Sequence, residues 1–236
     1  NIRSAADKII WGKTVNAGQT CVAPDYVMVH ESIKNELIKE MKRSINDFYG
    51  DDIKVSESLG RIINEKHFNR LLNILESDKE SLLYGGEYDE EEKYIAPSII
   101  EVKDWNSACM KEEIFGPILP IMSYRDLNQV INDINKQPKP LALYLFTSDK
   151  RVEKKVLNEI SSGGVSINDT ILHLANSNLP FGGVGNSGMG AYHGEESFRT
   201  FSHRKSVLKK SRVLNTTLMY PPYSDKKLMV IKRFLK

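Results

Sequence analysis

The sequence predicts an α/β protein with a mostly parallel sheet and flanking helices. Two observations carry that prediction. Short β-branched or aromatic runs alternate with stretches of helical apolar periodicity along the first 167 residues, the pattern of strand–helix–strand units with right-handed crossovers. The composition, 40% hydrophobic and 27% charged over 236 residues, suits one large domain or two small ones with a core that needs no staples. The 15 Gly and 9 Pro are ordinary usage, which excludes collagen-like and low-complexity chains.

The chain opens on Asn1-Ile2-Arg3-Ser4, without a methionine, and enters a helical pattern at once, with Ala5, Ala6, Ile9 and Ile10 on one face. Termini are usually frayed and polar, so this reads as a piece of a longer polypeptide. Tyr26 to His30 is a strand candidate. Over residues 31–49 a stripe of Ile33, Leu37, Ile38, Met41, Ile45 and Phe48 predicts a helix, with Ser32 as its cap and Gly50 as its stop. A second helix fits residues 65–77 through Phe68, Leu71, Leu72 and Leu75. The acidic stretch Glu87 to Lys93 reads as a solvated loop. Strands are expected at Tyr94 to Val102 and Ile118 to Tyr124, and a helix over residues 126–136. Leu141 to Thr147 is almost continuously apolar, as in a strand buried on both faces. A charged helix over residues 149–161 leads to a last buried strand, Gly163 to Ile167. Arg204 to Lys210 alternates like an exposed edge strand whose basic residues blunt pairing.

Lys plus Arg number 33 against 31 Asp plus Glu, a balance that marks no polyanion site and predicts no nucleic-acid partner. Two cysteines make no disulfide framework, and a cytoplasmic location is expected. No apolar run reaches the roughly 20 residues of a membrane helix. The five histidines show no metal-ligand spacing, so no metal site is predicted.

Three segments can carry chemistry. Cys21 lies in Asn16-Ala17-Gly18-Gln19-Thr20-Cys21-Val22-Ala23-Pro24, between a helix and a strand, where backbone N–H groups can support a thiolate or an oxyanion. Taken alone, a lone cysteine reads first as an inert small hydrophobe. Cys109, among apolar neighbours, reads as packing. Glu113 precedes a Phe115-Gly116-Pro117 bend. Such a carboxylate can accept from ribose hydroxyls and Phe115 can pack on a flat ring, although spacing alone describes a surface carboxylate beside a core aromatic. Pro180-Phe181-Gly182-Gly183-Val184-Gly185-Asn186-Ser187-Gly188-Met189-Gly190 lacks the Gly-Lys-Ser/Thr of a phosphate loop and reads as a tight turn needing close backbone approach. His193 and His203 follow it and read as structural.

These strings together resemble the aldehyde dehydrogenase superfamily. Gly18-Gln19-Thr20-Cys21 is similar to its nucleophile signature, Glu113-Ile114-Phe115-Gly116-Pro117 to its nicotinamide-ribose motif, and Pro180-Phe181-Gly182-Gly183 with Ser187-Gly188-Met189-Gly190 to its C-terminal loop, all in family order. Trp11-Gly12-Lys13, Val22-Ala23-Pro24-Asp25-Tyr26 and Val184 to Gly194 resemble the class 3 branch, which acts on fatty and aromatic aldehydes. The resemblance implies Cys21 as the nucleophile, passing through a thiohemiacetal and a thioester, with NAD or NADP taking the hydride. It implies that Glu113 binds the nicotinamide ribose and Phe115 packs near the ring, with Asn168 supporting the site.

The resemblance also implies a long N-terminal part with the dinucleotide-binding fold, an oxyanion asparagine and a water-activating glutamate. None of these is among these residues. The chain is therefore expected to be a catalytic domain over 1–202 with an oligomerisation strand and amphipathic tail over 203–236, nearly inactive alone, binding most of its cofactor through the missing half, and dimeric when whole. The tail places Leu228, Ile231 and Leu235 at helical spacing among basic residues, which suits packing on protein and allows weak, peripheral contact with a membrane surface. A non-catalytic binding or assembly module of the same fold, and a cofactor-free cysteine hydrolase, are the alternatives. The first leaves the thiol of Cys21 without a purpose, and the second needs a base not identified here.

Overall fold

The structure, a computed structural model, describes residues 1–213 and 217–234. It divides into two units, Asn1–Phe201 and Ser202–Lys236. In the first, the helices are α1 (Ile2–Thr14), α2 (Lys34–Tyr49), α3 (Glu65–Ser77), α4 (Leu127–Lys136), α5 (Lys150–Glu159), α6 (Leu172–Ala175) and α7 (Gly194–Thr200). The strands are β1 (Val27–His30), β2 (Leu82–Tyr84), β3 (Tyr88–Asp89), β4 (Tyr94–Ile95), β5 (Ser98–Glu101), β6 (Ile118–Tyr124), β7 (Ala142–Leu145) and β8 (Gly164–Ile167).

The main sheet runs β1-β6-β5-β2, parallel except where β2 joins β5 antiparallel through an irregular register. Strand alternation sends successive side chains to opposite faces. Val29, Ile99, Leu119 and Ile121 meet Ala6, Ile9 and Ile10 of α1 and Leu37, Met41 and Ile45 of α2. Met28, Ile100, Ile118 and Met122 meet Phe68, Leu71, Ile74 and Leu75 of α3 on the other face. A parallel pair, β7–β8, is packed by Val130, Ile131 and Ile134 of α4 and Val156 of α5. The starts of α1, α3, α4 and α5 are capped by Asn1, Asn64, Asp126 and Asp149, each accepting a first-turn N–H.

Several local expectations are corrected. Ser32 does not cap α2; it lies in a short 3-10 turn begun by His30, whose ring accepts the Ser32 N–H. The acidic stretch is not all loop, because Tyr88 and Asp89 pair with Tyr94 and Ile95. Pro97 offers no donor, and the expected long strand breaks there into β4 and β5. The β7 residues are half-buried rather than sealed on both faces.

In the second unit, Arg204–Lys210 is exposed and forms no strand, since a strand exists through a ladder and no neighbouring strand lies beside it among the described residues. The tail forms α8 (Asp225–Phe234), where Lys227 Nζ donates to the Tyr220 and Pro222 carbonyls. Leu228 and Ile231 lie on α8, while Leu235 lies outside the described residues. Among the described residues no helix is long and apolar enough to cross a membrane.

Candidate active site

The loop after α1 turns back through three consecutive left-handed residues, Asn16 (φ 52°), Ala17 (φ 53°) and Gly18 (φ 75°). That conformation costs a non-glycine residue about 1–2 kcal/mol, so something must hold it. Gln19 does. Its side-chain amide donates to the carbonyls of Asn16 and Arg61, both at 3.0 Å, and accepts from the Ile63 N–H at 2.9 Å. The Asn16 amide returns a bond to the Gln19 carbonyl. Beyond it a turn closed by the Ala23 N–H and the Thr20 carbonyl, at 2.9 Å, presents Cys21 exposed to solvent. Among the described residues no acceptor takes the Cys21 N–H. Tyr144 of β7 anchors the far side, its hydroxyl donating to the Val22 carbonyl at 2.6 Å.

Cys109 is the opposite case. It is 1% exposed. Burial, then the neighbouring Asp78 carboxylate, pushes its thiol up to about 12. Only Cys21 is placed to react with a solute.

The turn holding Glu113 and Phe115 lies against the Cys21 loop. Gly18 and Gly116 meet backbone to backbone, so closely that a Cβ on Gly18 would stand 2.2 Å from the Gly116 carbonyl oxygen. Phe115 has φ 49° and stays partly exposed, and Glu113 is exposed beside it. The turn is pinned from two sides. Asp25 Oδ1 accepts the Ile114 N–H at 3.0 Å, and the Arg70 guanidinium donates to the Ile114 and Glu113 carbonyls. Crowding and then the Asp25 charge raise the Glu113 carboxyl, while Lys13 and Arg70 pull it down. An exposed carboxylate beside an exposed ring, on one turn, offers an acceptor for ribose hydroxyls and a face for a flat heterocycle.

A third segment closes on the same region. Asn168, at φ 56°, clasps Thr147, accepting its N–H and donating to its carbonyl at 2.9 Å each. The Asn168 carbonyl accepts Lys8 Nζ of α1 at 2.6 Å, and Thr170 Oγ1 donates to the Lys8 carbonyl at 2.8 Å. In the glycine loop a Cβ on Gly182 would stand 2.1 Å from the Gly190 carbonyl oxygen, so only glycine fits. Phe181 pairs with Tyr192 in an isolated bridge and stacks on His193, and His173 packs between Tyr144 and Phe181. His203 lies in the second unit and is exposed. Among the described residues no group of His, Cys, Asp and Glu side chains converges as a metal site. Among the described residues, Asn16, Ala17, Phe115, Asn168, Ile171 and His193 are non-glycine residues at positive φ within these segments and only Lys93 lies elsewhere, so backbone strain is concentrated here.

Sequence reasoning gave Lys13 and Asp25 no role beyond their place in the resembling strings, and passed over Arg70. Lys13 had a legible signal: it continues the apolar face of Ala6, Ile9 and Ile10 at helical spacing, and it is 2% exposed. Asp25 and Arg70 act across 89 and 44 residues of sequence, which no local pattern reveals.

A family model described as "Aldehyde dehydrogenase family" matches residues 1–207. The 4,4'-diaponeurosporen-aldehyde dehydrogenase of Staphylococcus aureus is 50% identical over 236 residues, all of this chain and 51% of that protein. The "Aldehyde dehydrogenase, dimeric NADP-preferring" of Mus musculus is 53% identical over 207 residues, 88% of this chain and 45% of that one. A solved structure of a substrate-bound state of Staphylococcus aureus AldH superposes with a TM-score of 0.91 at 50% identity, covering 100% of this chain and 51% of the other. The chain thus spans about half the length of the curated relatives it matches.

Proposed function

The chain belongs to the aldehyde dehydrogenase family, and from that premise we propose that it carries the cysteine half of an NAD(P)-dependent oxidation of aldehydes to carboxylic acids. The observation that supports this reading is the exposed Cys21 thiol with its own N–H open to an acceptor, on a loop backed by the Glu113–Phe115 turn.

In this reading the Cys21 thiolate adds to the aldehyde carbon, forming a C–S bond and moving the carbonyl electrons onto oxygen. The Cys21 N–H donates to that oxygen, a donor fixed before the reaction begins. A nicotinamide cofactor, when bound, supplies the hydride acceptor. Loss of hydride from the hemithioacetal carbon leaves a thioester on Cys21, and water attacks it to release the carboxylic acid and return the thiol. Glu113 would accept from the nicotinamide ribose and Phe115 would pack beside the ring, while Asn168 braces α1 through Lys8.

Residues 1–202 form the catalytic part in this proposal and 203–236 the oligomerisation segment and tail, with a second copy as partner. The mouse relative is itself named dimeric. The dinucleotide fold, the oxyanion asparagine and the water-activating glutamate of the resemblance are not among these 236 residues, so the chain alone turns over little. The test is to join it to the N-terminal half of a relative and follow reduced cofactor with an apolar aldehyde. The fused wild type reduces cofactor and the Cys21→Ser fusion does not. A Cys21→Ser fusion as active as wild type overturns the assignment, and robust activity of the isolated chain overturns the division of labour.

A further inference from the structure

We propose that Gln19 is a positioning residue for Cys21: its side-chain amide clips the nucleophile turn to the Arg61–Ile63 segment, and the reactivity of the Cys21 thiol depends on that clip. That the thiol serves as a catalytic nucleophile rests on the proposed function; its dependence on Gln19 does not.

A primary amide offers N–H donors and a carbonyl acceptor, and Gln19 uses both kinds of group. Nε2 donates to the Asn16 carbonyl on its own loop and to the Arg61 carbonyl 42 residues away, both at 3.0 Å, while Oε1 accepts the Ile63 N–H at 2.9 Å. Acceptors on one side and a donor on the other fix which way the amide points. The far end of the clip is itself held. The Ile62 N–H donates to the Lys93 carbonyl at 3.0 Å, and the Arg61 guanidinium donates to the carbonyls of Lys54 and Leu59 and lies over the Tyr94 ring. The near end is strained. Asn16 and Ala17 stand at φ 52° and 53°, and the turn that presents Cys21 begins at Thr20, the residue after Gln19. Tyr144 fixes the other side of that turn through the Val22 carbonyl. On the side before Cys21 it is Gln19 that ties the turn to a segment outside the loop. Without its amide, Asn16 and Ala17 relax to ordinary backbone angles and the turn no longer holds the sulfur out in solvent.

The test follows the rate at which a dipyridyl disulfide labels each cysteine of the whole chain, as a ratio to wild type at each pH from about 8 down to about 5. Gln19→Met keeps the reach of the side chain and none of its three bonds. In it Cys21 labelling falls at least about fivefold at every pH, the weight of one lost hydrogen bond, while Cys109, 1% exposed in wild type, stays shielded. Gln19→Glu separates positioning from bulk stability. Its carboxylate can accept from Ile63 but faces the Asn16 and Arg61 carbonyls without a donor, and protonation restores one donor. Cys21 labelling in this variant therefore matches Gln19→Met near pH 8 and recovers at least about threefold toward wild type near pH 5. Wild-type labelling of Cys21 in Gln19→Met overturns the inference, and so does a Gln19→Glu ratio that ignores pH. If Gln19→Met alone unfolds, labelling Cys109 with Cys21, the Gln19→Glu profile decides. If both unfold, Gln19 is a support of the whole fold and the inference is overturned. A wild-type Ile63 amide that exchanges with deuterium as an unprotected one overturns it whatever the variants do. If the clip holds but the Cys21→Ser fusion still reduces cofactor, the proposed function fails and the grip of Gln19 on the turn stands.

Discussion

Gly18 and Gly116 face each other with no room between them: a Cβ on the first would lie 2.2 Å from the carbonyl oxygen of the second. Two motifs almost a hundred residues apart are thereby held at one fixed distance, with Cys21 on one side and Phe115 on the other. Gly18→Ala strikes this contact twice. The φ of 75° costs alanine about 1–2 kcal/mol, and the methyl cannot be accommodated without moving backbone. The expected outcome is a lower denaturation midpoint together with a changed Cys21 alkylation rate, measured on the same protein. An alanine variant as stable as wild type, with unaltered labelling, would mean that the two loops are not held together here.

The two thiols should separate cleanly toward iodoacetamide. Cys21 is exposed on its turn, whereas Cys109 is 1% exposed with its thiol pushed up to about 12. At pH 8 the thiolate fraction of such a group is about one in ten thousand, and alkylation needs the thiolate. Peptide mapping after a short exposure should find label on Cys21 at least tenfold ahead of Cys109. Equal labelling would remove the ground for treating Cys21 as the reactive sulfur.

Much of this fold was legible in the sequence because burial imposes a period. β6 occupies the expected Ile118–Tyr124 because it is apolar on both faces of the sheet, and α3 the expected residues 65–77 because it turns one apolar stripe toward the sheet. Expectation failed where a single residue decides the outcome, as Pro97 does in splitting the long strand expected over Tyr94 to Val102. The motif strings pointed to Cys21, Glu113 and Phe115 as candidates, on loops that the fold sets side by side. They were silent about Asp25 holding the Ile114 N–H, because that bond is set by the tertiary fold and by no local spacing.

Lys13 makes the stability of the chain depend on pH in a definite direction. Its folded midpoint of about 8 lies below the ordinary 10.5, so between those values the unfolded chain holds more protons and stability rises with pH. Below pH 8 the full penalty of the charged, buried amine is present. Lys13→Met removes it. The variant should therefore be more stable than wild type at pH 7, by as much as about 3 kcal/mol, with the advantage fading toward pH 10.5. Comparing the two proteins at each pH is essential, because half-buried Tyr26 and Tyr144, each raised to about 12, add an opposite slope above pH 10 in both. Denaturant titrations across pH 7–10 check it; a difference that does not change with pH would show that Lys13 is not buried as a cation.

Asn168 combines two demands that different substitutions can pull apart. Its backbone is at φ 56°, and its side chain makes both bonds to Thr147 at 2.9 Å. Asn168→Gly relieves the backbone but loses both bonds, a cost of about 1–3 kcal/mol. Asn168→Ala loses the bonds and adds the left-handed penalty of about 1–2 kcal/mol. Alanine should thus be the more damaging of the two. Because the Asn168 carbonyl holds Lys8 of α1 at 2.6 Å, both variants should also loosen the helix that leads to Cys21. Hydrogen exchange of the Thr147 amide and of α1, read beside the denaturation midpoints, tests the order. If glycine proves the worse substitution, or if α1 keeps its protection in both, then the clasp on Thr147 is local and does not brace the nucleophile loop.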